Sequence, residues 1–212
     1  MEILFITDYV CPYCLVAKEA LRQALQAAGL QASITWQPYE LTPAPRERVD
    51  TYHDERRRAG YQVLVEPSKK LGLDMKLPPN VIPRPYTRLA FEGWFYACDQ
   101  GKGEIYNDLV YRAYFIQEQD IGELPVLAAI AEQAGLDSAD FTRTLEQGRY
   151  TAKEQEAVRY AREVLKPQGV PTISIDGQQI TLKDYTKDEM LRILNDHAFC
   201  AGSGHFCGPD GC

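Results

Sequence analysis

The sequence predicts an α/β domain split by a large all-helical insertion, and three observations carry that expectation. Residues 1–42 read as strand, helix, strand; residues 151–198 read as helix, strand, strand, helix; residues 43–150 between them hold helical periodicity and few strand signals. A cysteine-rich tail, 199–212, follows.

The opening "EILFITDY" sets Ile3, Leu4, Phe5 and Ile6 in an unbroken row, the pattern of a strand buried on both faces. From Pro12 the period changes. Ala17, Leu21, Ala24 and Ala28 recur at helical spacing, Pro12 suits the first helical position and Gly29 is a natural stop. "ASITWQPYEL" is a second strand ending near Pro38. Residues 43–60 then read as a charged helix, and 65–85 as an irregular stretch broken by Pro67, Pro78, Pro79, Pro83 and Pro85. Helices are expected in "YTRLAFEGWFYACDQ", "EIYNDLVYRAYFIQ", "ELPVLAAIAEQAG" and "SADFTRTLEQG". "TAKEQEAVRYAREVL" opens with a capping box, Thr151 with Glu154. "PTISI", the turn "DGQQ" and a run from Ile180 to Leu182 form a hairpin signal, and a second box, Thr186 with Glu189, starts the last helix.

A content of 45% hydrophobic and 25% charged residues is that of a folded globular chain. The net charge of −7 argues against binding nucleic acid, which needs clustered cations to displace counterions. The one basic cluster, Arg56 to Arg58, is offset by Glu47, Asp50, Asp54 and Glu55 and reads as a solvated helix face. No apolar run approaches the ~18 residues needed to span a bilayer. The opening apolar stretch is too short for a secretory signal and is cut by Asp8, so no membrane partner and a cytoplasmic location are expected. In that compartment structural disulfides are rare, and a close cysteine pair is more often catalytic or metal-binding.

Such a pair lies in "TDYVCPYCLVAKEAL", with Cys11 and Cys14 at the join between strand and helix. A zinc knuckle shares the spacing but turns back through Gly and needs a second ligand pair. Here Leu15 and Val16 run straight into the helix, and Cys98, Cys200, Cys207 and Cys212 supply no matching CxxC. At an exposed helix start, unpaired N–H groups and the helix dipole favour a thiolate, the attacking species in disulfide exchange. Cys14, one turn further in, is placed to close a disulfide and to act second. The pair reads as a redox dithiol.

"CPYC", the distant "GVPT" at 169–172 before the third strand, and the helical block between them resemble the DsbA-like branch of the thioredoxin superfamily, in particular the FrnE-like proteins. "WQPYEL" and "DIGELPVLAAIAEQAGLD" share in the likeness. The resemblance implies a thioredoxin-like fold with a large all-helical insertion and a protein disulfide oxidoreductase of the DsbA family that needs no cofactor and no metal at its dithiol. It implies Cys11 as nucleophile, Cys14 as resolving thiol, and Pro12, Tyr13, Val170 and a cis Pro171 at the substrate. Its partners would be protein thiols or disulfides, and glutathione. Tyr13 stands where DsbA has a His, which implies a less stabilised thiolate and a weaker oxidant. Kappa-class glutathione transferases and chromene carboxylate isomerases resemble the same architecture but carry Ser in place of Cys11, so a glutathione-dependent transferase or isomerase is the alternative.

Asp8 is expected to cap its loop by hydrogen bonding, Cys98 to be a small buried hydrophobe and His53 to face solvent. The tail "HAFCAGSGHFCGPDGC" resembles the second Cys-x4-Cys pair of some FrnE-like proteins, which implies an accessory redox pair, Cys207 with Cys212. Its main competitor is a zinc site drawn from His197, Cys200, His205, Cys207 and Cys212, which would make the chain a zinc-binding protein through its tail.

Overall fold

The computed structural model describes residues 1–203. A four-stranded mixed sheet, ordered β2-β1-β3-β4, is built from β1 (Glu2–Thr7), β2 (Ser33–Pro38), β3 (Thr172–Ile175) and β4 (Gln178–Ile180). β1 runs parallel to β2 and antiparallel to β3, which pairs antiparallel with β4. The parallel β1–β2 pair needs a crossover, and α1 (Pro12–Ala28) supplies it. Pro12 occupies its first position, and Gly29, at φ 64°, ends it with Leu30 N–H donating to the Leu25 carbonyl.

The insertion holds α2 (Glu55–Tyr61), α3 (Val65–Lys70), α4 (Arg88–Asp99), α5 (Gly103–Phe115), α6 (Leu124–Gln133) and α7 (Ser138–Glu146). α8 (Thr151–Tyr160) returns the chain to the sheet, and α9 (Lys187–Ser203) packs along α1. Among the described residues no helix is long and apolar enough to cross a membrane.

Four expectations need correction. Residues 43–54 are not helical: Pro43 and Pro45 break the pattern, Asp50 accepts from the N–H groups of Tyr52 and His53, and the helix starts only at Glu55, capped by Asp54. Conversely α3 forms inside the stretch expected to be irregular, with Pro67 tolerated in its first turn. β4 begins at Gln178, because Asp176 and Gly177 alone make the turn, at φ 48° and 83°, as a two-residue hairpin requires. The Thr151–Glu154 box does not form: the Thr151 hydroxyl donates to Glu92 on α4, and the Glu154 carboxyl is buried against Glu40. The second box is half formed. Thr186 Oγ1 accepts from Glu189 N–H, while the Glu189 carboxylate accepts from the N–H groups of Lys183, Asp184 and Tyr185.

One face of α5 joins the insertion to the sheet and α1. Glu104, Asp108 and Tyr111 lie four and then three positions apart, so they share a face, and they bond Trp36 of β2, Lys18 of α1 and Thr7 of β1 respectively. The Lys18 side chain is only 7% exposed and also lies over the Trp36 ring. Asp108→Ala leaves that ammonium buried without its carboxylate and should cost about 1–3 kcal/mol, measured as a lowered urea midpoint. Lys18→Met in the same background should recover part of the loss.

Candidate active site

The turn between β1 and α1 is closed by a hydrogen bond from Cys11 N–H to the Asp8 carbonyl, 3.0 Å long. Cys11 is the N-cap of α1, in extended backbone, with no side chain capping the helix start. Cys14 N–H donates to the Cys11 carbonyl at 3.1 Å, placing the two side chains one turn apart. Both are free thiols. Cys11 is 4% exposed and Cys14 is fully buried.

The expectation of an open Cys11 is thus corrected, and the surroundings give the reason. Its Sγ donates to the Val170 carbonyl at 3.3 Å, and the bond from Val170 to Pro171, just ahead of β3, is cis. Tyr13 packs against Tyr185 at a ring separation of 5.3 Å and donates its hydroxyl to the Gly60 carbonyl of α2 at 2.8 Å. Tyr61 completes a tyrosine rim, and its phenol, like those of Tyr13 and Tyr185, is pushed up mainly by burial, Tyr185 to about 12. The backbone ahead of Tyr185 is fixed by Glu189, as described above, so half of the second capping box serves the site.

Beneath the rim, burial pushes the Cys14 thiol well up and neighbouring Cys11 adds to the effect, while Thr7 and the Asp8 backbone act in the opposite sense. The Asp8 carboxylate accepts from Leu41 N–H at 2.7 Å, so it ties the β1 exit to the β2 exit. Burial raises its carboxyl; Leu41, Thr87 and Arg84 oppose that rise. Close by, Glu40 and Glu154 face one another at 5% and 1% exposure. Among the described residues Oε2 of Glu40 and both oxygens of Glu154 have no hydrogen-bond partner.

The structure therefore brings Cys11, Pro12, Tyr13, Cys14, Val170 and Pro171 together. Sequence reasoning missed Thr7, Tyr61, Tyr111 and Tyr185. The signal for Tyr111 was present, as the third polar residue of a single face on α5. Cys98 is exposed rather than buried: it follows the core-facing Ala97 in the last turn of α4, with its Sγ against Gly103. His53 faces solvent. Cys207, Cys212 and His205 lie outside the described residues, among which no group of three or more His, Cys, Asp or Glu is arranged to hold a metal ion.

Residues 2–190 match the DSBA-like thioredoxin domain family. The chain belongs to that family. Among relatives, the uncharacterized protein YwbO of Bacillus subtilis is 38% identical over 197 residues, 92% of this chain and 96% of that one. The solved structures that share the fold include an oxidoreductase and an isomerase. A probable DsbA oxidoreductase of Streptomyces coelicolor superposes with a TM-score of 0.75 at 22% identity, covering 100% of this chain and 98% of the other. A 2-hydroxychromene-2-carboxylate isomerase does so at 0.72 and 19% identity, covering 96% and 98%. A DSBA-like domain is thus a frame on which thiol oxidoreductases and isomerases are both built, and the site has to choose between them.

Proposed function

We propose that this protein is a cytoplasmic thiol–disulfide oxidoreductase that exchanges disulfides with protein or small-thiol substrates, glutathione among them, through its CPYC pair. The observation that carries the reading is the placement of two free thiols one helical turn apart, Cys11 at the helix start against the Val170 carbonyl and Cys14 behind it in the core. Cys11 is the attacking sulfur, and Cys14, reachable only from within, releases the mixed disulfide. Pro12 fixes the turn into α1, Tyr13 stands at the entry, and Val170 and Pro171 lie where a substrate chain reaches the Cys11 sulfur. A glutathione-dependent isomerase or transferase has no use for a second thiol behind the first. Cys207 and Cys212 are read as an accessory redox pair acting with this centre.

The test is equilibration in glutathione redox buffers followed by mass mapping. The Cys11–Cys14 peptide should lose two hydrogens reversibly, with a midpoint set by the buffer ratio, and insulin disulfides should be exchanged catalytically. A pair that stays dithiol across the whole range, in a protein that turns over glutathione conjugates, would establish the alternative. The same spectra report on the tail: two hydrogens lost at 207–212 support a second pair, and one bound zinc with the tail thiols reduced removes it.

A further inference from the structure

We infer that Arg56 and Arg57, on the exposed face of α2, recognise the carboxylates of small anionic disulfides and so set which disulfides reach Cys11. The inference rests on the dithiol reading above and names its substrate class.

In sequence the run Arg56 to Arg58 is a solvated helix face; the fold gives that face a place. The Tyr13 hydroxyl, two residues beyond Cys11, donates to the Gly60 carbonyl at 2.8 Å, so the end of α2 is tied to the CPYC turn. Arg56 and Arg57 precede Gly60 by four and three positions. They therefore share its side of the helix, one turn or about 5 Å further along the axis. Cys11 is 4% exposed, so a substrate reaches its sulfur only by displacing part of the rim. The Tyr13 tie ends on a helix with no buried residue, which makes α2 the part of the rim that yields at least cost.

The face has room and unspent charge. Residues 55–60 are all exposed, and a side chain added at Gly60 would meet nothing. The helical spacings of three and four around Arg56 hold Tyr52, His53, Ala59 and Gly60, none of them acidic. Among the described residues the ion pair on α2 is Arg57 Nε with Asp54 at 3.1 Å, and Arg56 has none. The other acids nearby are turned elsewhere. Asp50 holds the N–H groups of Tyr52 and His53 and the His53 ring, and Glu55 lies about 140° round the helix from Gly60. The Arg57–Asp54 pair is exposed, and such a pair contributes little, so Arg57 exchanges Asp54 for an incoming carboxylate at small cost.

Charge names the ligand. A chain of net charge −7 repels anions at long range, whereas within a Debye length of about 10 Å the local cations decide. A guanidinium meets a carboxylate through two parallel hydrogen bonds, which fixes orientation as well as affinity. A disulfide whose carboxylates stand several bonds from its sulfurs, as in glutathione disulfide, spans the one helical turn between the Tyr13 tie and Arg56. In the step served, the Cys11 thiolate attacks one sulfur of that disulfide and the bond between its halves breaks. One half stays on Cys11, and the other leaves as a thiolate that takes up a proton from water.

The test compares glutathione disulfide with its tetraethyl ester, which is similar in shape and reversed in net charge. Capture at Cys11 is followed by acid quench and peptide mapping in a Cys14→Ala background. The ratio of the two rates is read, because any change in Cys11 nucleophilicity cancels from it. That ratio should fall about two- to fivefold in Arg56→Gln and about tenfold when Arg57→Gln is added, the scale of exposed charge contacts. Arg56→Lys should keep part of it, and 1 M salt should bring the parent ratio toward that of the double variant. Arg143→Gln removes the same charge from α7 and should leave the ratio unchanged. An unchanged ratio in the double variant, or an equal fall in Arg143→Gln, overturns the inference. So does a charge effect confined to acidic peptide disulfides, which would make the partner a protein segment. If Cys11 captures neither probe in any variant, the dithiol reading itself fails.

Discussion

Cys14→Ala should accumulate one mixed disulfide at Cys11 per chain, and Cys11→Ser should exchange none above the uncatalysed background. The two outcomes differ because the proposed mechanism gives the two sulfurs different work. Cys11 lies at the helix start beneath a tyrosine rim, with Tyr13 tied to Gly60 on α2, a helix with no buried residue. A substrate that displaces that tie reaches Cys11 Sγ. Cys14 lies behind it, and only a second thiolate there can expel the captured substrate. Cys98, an exposed residue whose sulfur is partly covered, provides an internal control: desolvation of that sulfur pushes its thiol up to about 11, so its capture rate near neutral pH should be far lower. Peptide mapping after quench reads the site directly. Retained exchange in Cys11→Ser, or a captured substrate mapped to any other cysteine, would reverse the assignment of roles.

Local signals made most of the frame legible. The apolar row of β1, the switch to helical period at Pro12, and the apolar faces of α4 to α7 are properties of contiguous sequence, and the structure forms each of them. Where the reading failed, a tertiary partner or a backbone constraint overrode the local pattern. Thr151 abandons its own helix for Glu92, Asp50 organises a turn where charge spacing suggested helix, and the Asp176–Gly177 turn draws both glutamines into β4. The same division holds at the site. Cys11 and Cys14 are visible because their spacing and their helix are local. Thr7, Tyr61, Tyr111 and Tyr185 come from four separate segments, and nothing in any one segment says that they meet.

The polar face of α5 was the best available clue to that meeting. Glu104, Asp108 and Tyr111 share one face that runs from the exposed edge of the helix into the core at Tyr111, and each finds a partner on β2, α1 or β1. The helical insertion is thereby fixed to the strand and the helix that flank the CPYC turn, so an insertion remote in sequence places the Tyr111 hydroxyl on Thr7 and the Asp8 carbonyl.

Glu154→Gln should raise the melting temperature by several degrees at pH 8.5 and change it little at pH 5. Burial lifts the Glu40 carboxyl to about 7, with Asp8's charge adding to it, and lifts Glu154 to about 8, with the charges of Glu40 and Glu92 adding. Arg88 pulls both back, and Arg162 also lowers Glu40. In the unfolded chain both carboxyls titrate near about 4.3. Between that value and about 8 the folded state binds more protons than the unfolded state, so stability falls as pH rises across this window. Below it both states are protonated and the pair costs nothing; above it both carboxylates are charged side by side and the full penalty is present. Gln keeps the shape and removes the titration, so the gain appears only where the wild type is ionised. About 2–4 °C accompanies each kcal/mol in a chain of this size, which makes the effect readable by calorimetry. The consequence reaches the active site, because Glu40 is followed by Leu41, whose N–H holds the Asp8 carboxylate three residues before Cys11. Repulsion between ionised Glu40 and Glu154 therefore pushes on the segment that anchors the CPYC turn. An equal shift in melting temperature at both pH values would show that the pair does not share its proton in the folded state.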